Sequence, residues 1–282
     1  MDLTHPGIGR GSSLHGLDHC TPTQRALRAL IAMGVFNDGY RGAPPRGWGA
    51  HRLIVYGFHL SPRYDDLVIF TDSPDNVARC FASWRAKRPA FPGWRAVCVT
   101  THVRLVHLPT GAVLGVEAVD SDRRRSQCAS PCPGSRHAKY MATDAPLTEE
   151  EDTELGAVPP MSASASMLLA GLFARMTLTA ADGSWATGGW FSCPPEVSAR
   201  RSFVPETGRV LWGSHDRWSL SWGGFPDAEF VAAALTDPHV GLAGAAAHDD
   251  GRAIVVRYGT ASLTLAEDFR VSPPISLSTT PD

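Results

Sequence analysis

His59-Leu60-Ser61 ends a strand-like apolar stretch, and Asp66 follows it after a short polar turn. An imidazole can give or take a proton near neutral pH, a serine hydroxyl can position a phosphate oxygen, and acidic groups beside them can assist proton transfer. His59, Ser61 and Asp66 are therefore the candidate catalytic set, and the chemistry they suit is hydrolysis of a phosphoester or nucleotide. A second set is Cys128-x3-Cys132-x4-His137, in which two thiolates and an imidazole could share a tetrahedral Zn(II) ion. No fourth ligand lies nearby in the chain, and His19 or Cys20 would have to supply it through space.

His59-Leu60-Ser61 resembles one of the two His-x-Ser or His-x-Thr elements that converge in two-histidine phosphoesterases, over three residues. Neither Thr101-His102-Val103-Arg104 nor His107-Leu108-Pro109-Thr110 supplies a second copy with the required spacing. Asp65, Asp66, Asp72 and Asp75 could gather oxygen ligands for Mg(II) or Ca(II), but a hairpin turn and a helix start already account for them. The chain has no P-loop, dinucleotide fingerprint, His-Glu-x-x-His motif or Gly-x-Ser-x-Gly elbow. His215-Asp216 and His248-Asp249-Asp250 sit beside glycine-rich turns without a nucleophile partner. No catalytic constellation is complete, which favours a non-catalytic role.

Surfaces give the more positive signal. Trp185, Trp190, Trp212, Trp218 and Trp222 crowd the second half of the chain, and the Gly/Pro-rich loop after Asn37 carries Tyr40 and Trp48. Aromatic and Arg side chains bury large areas while keeping orienting contacts. Tyr40, Trp48, Arg209, Trp212, Arg217 and Trp218 are thus the candidate partner-binding residues. The expected function is an intracellular interaction or regulatory protein that binds another protein through an aromatic face or interdomain groove. A phosphoester or nucleotide hydrolase is one alternative. A nucleic-acid accessory protein using Arg123, Arg124 and Arg125 is the other, although a net charge of -2 gives the whole chain no attraction for phosphate. No cofactor is expected, with zinc at Cys128, Cys132 and His137 as the exception.

These residues need elements to hold them. Thr21-Pro22-Thr23-Gln24 has the cap, first-turn proline and box glutamine of a helix start, followed by a stripe of Leu27, Leu30 and Ile31 and a stop at Gly34. Strands are predicted over 53–60 and 67–71, a helix capped by Ser73 with Val77, Ala78, Phe81 and Trp84 inward, and strands over 94–108 and 112–119. Residues 121–160 turn polar and form a connector, interrupted by a short helix where Thr148 and Glu151 have capping-box spacing. A helix from Met167 follows, with strands over 185–191, 197–204, 210–212 and 218–222. A helix through Phe230, Val231, Ala234 and Leu235 and a final strand pair over 253–258 and 262–265 complete the chain.

The reading is an α+β protein of two mixed α/β units with antiparallel sheets. Its parts are a flexible arm at 1–20, a first domain at 21–120, the connector at 121–160, a second domain at 161–270 and a disordered tail at 271–282. A weak internal repeat is suggested by two echoes. Leu67 to Asp75 and Leu220 to Asp227 each run from a strand into Pro-Asp, and His107 to Gly115 resembles Val204 to Gly213. The echoes do not recur in the same order, which favours independent helix-start and hairpin chemistry over simple duplication.

At 282 residues and 43% apolar content the chain can bury a full core. Six scattered cysteines are too sparse for a disulfide scaffold, and reduced thiols suit a cytoplasmic, or in a eukaryote nuclear, protein. Neither a secretory h-region nor a transmembrane run of about 20 apolar residues is present. Lys87 and Lys139 are the only lysines among the basic residues. That bias suits a GC-rich coding sequence as well as any binding role.

Overall fold

Thr21 opens the first helix as its side chain requires: Oγ1 accepts from Gln24 N at 3.2 Å, and α1 runs Pro22–Val35. The structure, a computed structural model, describes residues 19–36, 57–71, 74, 77, 78, 81, 92–99, 102–118, 145–175, 178–179, 185–186, 209–222, 227–239 and 241–267. Gln24 does not close the capping box. Its Nε2 donates instead to Val113 O at 2.8 Å, tying the helix to a strand 89 residues away. Gly34 is buried inside α1 and does not end it, because the surrounding residues supply enough packing to offset its backbone entropy.

The first sheet contains β1 (Gly57–Pro62), β2 (Asp66–Thr71), β3 (Trp94–Val99), β4 (His102–His107) and β5 (Val113–Ala118), in the order β1-β2-β5-β4-β3. The strand predicted over 94–108 is a hairpin of β3 and β4, whose register runs from Trp94 opposite His107 to Val99 opposite His102. Pro74, Val77, Ala78 and Phe81 lie in helical backbone between β2 and β3, and the last three are buried.

α2 (Glu149–Gly156) starts with the predicted box: Thr148 Oγ1 accepts from Glu151 N, and Glu151 Oε2 accepts from Thr148 N. After α3 (Ala163–Ala174) and a short pair, β6 (Leu178–Thr179) with β7 (Trp185–Ala186), the second sheet forms. It contains β8 (Arg209–Ser214), β9 (Arg217–Trp222), β10 (Ala246–Asp249), β11 (Ile254–Tyr258) and β12 (Ala261–Ala266), in the order β10-β11-β12-β9-β8. β10 has no apolar alternation, and its residues are all exposed, so it gave no strand signal.

α4 (Ala228–Thr236) joins β9 to β10. Asp227 stands at its N-cap but makes no side-chain cap; the carboxylate of Glu267 reaches across from the end of β12 to accept from Ala228 N. The sheets are mixed and not antiparallel throughout, since β2 pairs with β5, and β9 with β12, in parallel. Parallel neighbours cannot be joined by a tight turn and need a longer connection, which the segment between β2 and β3 and α4 each begin.

The inner faces meet in one apolar cluster. Leu67, Ile69, Leu105, Leu114 and Val116 line it from the first sheet, and Leu211, Trp218, Leu220, Leu263 and Leu265 from the second, with α1 and α3 packed against each other between them. Gly213 lies directly opposite Trp218, where an added Cβ would come within 2.9 Å of the indole and still closer to the Arg217 carbonyl. That glycine makes room for the buried ring. Among the described residues no helix is long and apolar enough to cross a membrane.

Candidate functional site

The β1–β2 hairpin decides the geometry available to the candidate catalytic set. His59 pairs with Phe70, Ser61 with Val68 and Pro62 with Leu67, so Asp66 stands opposite Arg63 at the turn. His59 and Asp66 are therefore four register positions apart, about 13 Å at roughly 3.3 Å per residue. Direct proton transfer needs hydrogen-bond reach or one bridging water. The register puts the three positions on one face of the hairpin, with Asp66 diagonal to Ser61 and four positions from His59.

Asp66 has structural work at the turn. Its carbonyl accepts from the Arg28 guanidinium at 3.0 Å, which also donates to Arg63 O, and its Oδ2 lies 3.6 Å from Arg63. Burial pushes the carboxyl up from its ordinary range, with Arg63 opposing and Asp65 adding to the rise. Burial likewise lowers Arg28, which the negative charges near it partly restore.

The tightest charged arrangement was not among the residues singled out from sequence. Arg95 is fully buried, and its donors are all used: Nε to Ala145 O, one terminal nitrogen to Trp94 O and Glu151 Oε1, the other to Pro146 O and Glu151 Oε2. Gly93 N and Thr148 N donate to the same carboxylate. Partial burial disfavours the charged Glu151, but the hydrogen bonds from Arg95, Thr148 and Gly93 outweigh it and hold the group at about 2. The segment from Ala145 to Glu151, expected as part of a loose connector, is thus fastened to edge strand β3.

Beside this clamp, His107 is buried against Trp94, with ring centroids 5.1 Å apart, and Phe81 also packs edge-on with Trp94 at 5.0 Å. Its Nδ1 lies 2.9 Å from Thr110 Oγ1. Nε2 completes no hydrogen bond of normal geometry, although the Pro92 carbonyl is near enough to favour a protonated ring. Burial dominates and lowers His107 to about 4, so the ring is neutral at pH 7.

The aromatic candidates separate by sheet face. Trp218 is only 3% exposed and its Nε1 donates to His215 O at 3.1 Å, so it is a core residue and cannot be part of an exposed contact surface. Trp222 is buried on the same inner face. Trp212, paired with Ser219, lies on the outer face and is partly exposed. Arg217, one register step along and opposite Ser214, is exposed there too. Arg209 pairs with Trp222 at the far end of the hairpin.

The strand register extends this outer face. One row reads Ala246, Arg257, Ser262, Arg217 and Ser214; the next reads His248, Val255, Thr264, Ser219 and Trp212. Arg217, Arg257, His248 and Ser214 are exposed, and Trp212, Ser219, Ser262 and Thr264 half-buried. Among the described residues no carboxylate occupies a register position on this face. Two arginines flank a serine with about 10 Å between their strands, given roughly 4.8 Å per interstrand step. Sequence reasoning found Trp212 and Arg217 but missed Arg257, whose place beside them depends on the β9–β12–β11 order.

Tyr40, Trp48, Arg123, Arg124, Arg125, Cys128, Cys132 and His137 lie outside the described residues. Among the described residues no group of three His, Cys, Asp or Glu side chains is arranged to hold a metal ion. Comparison with protein-family models, with curated proteins and with solved structures finds no match to the chain.

Proposed function

We propose that this is an intracellular interaction or regulatory protein, and that it binds an acidic segment of another protein on the outer face of its second sheet. The observation that carries this reading is the grouping of Trp212, Arg217 and Arg257 on one face with hydroxyl side chains between them. Interface centres are enriched in Trp and Arg because both bury much area and still direct polar contacts.

The size of the face limits its occupant. With the next row closed by buried Val210 and Ser221, the five strands and the two exposed rows span about 19 Å by 7 Å. That is well under the roughly 800 Å² per partner of a standard protein–protein interface, and it suits one helix, about 10 Å wide with its side chains. Arginines about 10 Å apart match carboxylates two helical turns apart, since two turns rise about 11 Å. Bidentate pairing would then fix the register, and Trp212 would supply apolar area at one end.

The test is affinity capture of the full chain from its source cells, compared with an Arg217→Glu/Arg257→Glu double variant of unchanged Tm. The reading expects a stoichiometric protein whose recovery falls at least about tenfold in the variant, the equivalent of 1.4 kcal/mol. Equal recovery by both chains would refute the surface. The hydrolase alternative would draw on His59 and a nearby acidic group, of which Asp66 stands four register positions away.

A further inference from the structure

We infer that the chain is an intramolecular dimer: two copies of one α-β-β-α-β-β-β module that associate through α1 and α3. Each module has a helix, a hairpin, a helical crossover and a three-strand meander, and in each the second and last strands pair in parallel. Shared topology alone could arise by convergence. The agreement extends to individual residues and bonds.

Each first helix is tied to its own hairpin by the same bond. The backbone N–H of the N-cap residue Thr21 donates to Tyr64 O in the β1–β2 turn, at 2.8 Å, and that of the N-cap residue Ser162 donates to His215 O in the β8–β9 turn, at 3.3 Å. Both cap side chains accept from the third residue of their helix, Gln24 N and Ala165 N. Gly93 and Gly244, just before β3 and β10, both have φ +83. The buried residues Val77, Ala78 and Phe81 recur with identical spacing as Val231, Ala232 and Leu235.

The sheet register supplies the remaining equivalences. Leu60 corresponds to Leu211, Leu67 to Trp218, Ile69 to Leu220 and Leu105 to Val256, all with one constant spacing along the chain. The spacing of 151 residues in the strands is 141 at the two N-caps and 154 in the crossover helix, and it falls to 149 after the β4–β5 turn, because Tyr258 reaches Ala261 through Gly259-Thr260 where His107 reaches Ala112 through four residues. Neither sequence echo follows this register: Leu67 answers to Trp218 and not to Leu220, and the other echo pairs the β4–β5 turn with the approach to β8.

α1 shows how the copies meet. A helix lying on one sheet buries a single stripe, but α1 buries Ala29, Leu30, Ala32 and Met33 as well as Leu27 and Ile31. The second covered face is turned to α3, whose Met167 to Ala174 are likewise all buried. Ala29 and Ala32 of α1 and Ala170 of α3 are buried, whereas Gly171 makes room for Leu242 of its own unit. Equivalent outer-face positions have meanwhile diverged: Ser61 answers to Trp212, Asp66 to Arg217 and Val106 to Arg257. Among the described residues, the pairing of two arginines with a tryptophan on the outer face belongs to the second copy.

The test cuts the connection after folding. The full chain carries a protease recognition sequence between residues 120 and 144, together with Glu151→Gln to break the ion pair that also spans the cut, the Arg95 bonds to Ala145 O and Pro146 O remaining. After cleavage the two pieces are expected to stay together as one 1:1 species at roughly 1 μM, with the mass of the uncut chain and with α1 and α3 amides still protected from exchange. Dissociation of the pieces, or loss of protection in both helices on cutting, would overturn the inference. A parallel cut without Glu151→Gln separates the contribution of the ion pair: association that survives only with Glu151 present would equally overturn it.

Discussion

Arg95 and Glu151 meet as a bidentate pair, with both nitrogen–oxygen distances at 2.9 Å, one partner in an edge strand and the other in the first turn of a helix 56 residues away. Glu151 simultaneously closes the capping box with Thr148 and accepts from Gly93 N. One carboxylate therefore starts α2 and docks it.

Removing one side of this pair should cost more than an exposed salt bridge would. Arg95→Ala removes a donor from Glu151 and from three backbone carbonyls, and Glu151→Ala leaves a fully buried guanidinium without its counter-charge. Each is expected to lose about 3–5 kcal/mol in chemical denaturation. A loss under about 1 kcal/mol, the range of a surface pair, would contradict the burial described.

His107 should make the fold acid-sensitive above the usual carboxylate range. Its pKa is lowered to about 4 in the fold from an ordinary 6.5, so the unfolded chain binds more protons between those values. The stability this contributes is complete above pH 6.5 and disappears as pH falls towards 4, on the order of 3 kcal/mol. Glu151, lowered to about 2 from 4.5, adds a second loss between pH 4.5 and 2. In His107→Gln the fall in Tm between pH 6.5 and 4.5 should flatten, while the lower phase persists.

The cap of α4 should be found at Glu267 and not at Asp227. Glu267 accepts from Ala228 N, whereas the Asp227 side chain makes no cap bond. Glu267→Ala is expected to cost about 1 kcal/mol and Asp227→Ala a few tenths, measured by urea denaturation. The reverse order would show that the local residue caps the helix.

His215 holds φ 51 in the β8–β9 turn, a conformation that L side chains adopt at a cost. His215→Gly should raise stability by about 0.5–1 kcal/mol, the relief of strain exceeding the added entropy of the unfolded chain. His215→Val, β-branched at the same position, should lower it by about 1–2 kcal/mol. Equal Tm values for the three proteins would show that the turn relaxes freely.

Local chemistry was the legible part of this sequence. Thr21 and Gln24, Thr148 and Glu151, and the Pro-Asp after Ser73 and after Phe225 each announce a helix within a few residues, and the helices stand there. The β3–β4 hairpin was hidden because Thr100-Thr101 carries no Gly or Pro to break the apolar run from Trp94 to Leu108. β10 was hidden because Ala246 to Asp249 alternates nothing apolar.

The site was harder to read for a different reason. Trp212 and Trp218 have the same residue type and adjacent turns of sequence, yet opposite sheet faces, and only the pairing of Gly213 with Trp218 separates them. Arg257 joins Arg217 through β12, and Arg95 joins Glu151 across a chain segment with no local signal at all. Contacts set by strand order are invisible to a reading that moves along the chain one window at a time.

Photo-crosslinking in the source cells tests the binding surface most directly. A photoreactive side chain placed at Ser214 or Ser219 on the outer face, with Glu229 on α4 as the exposed control, reports what covers each position in the full chain. The account predicts one protein crosslinked from Ser214 and Ser219, through an acidic segment, absent from Glu229 and lost with Arg217→Glu/Arg257→Glu. Crosslinks of equal yield from all three positions, or none from Ser214 and Ser219, would contradict it.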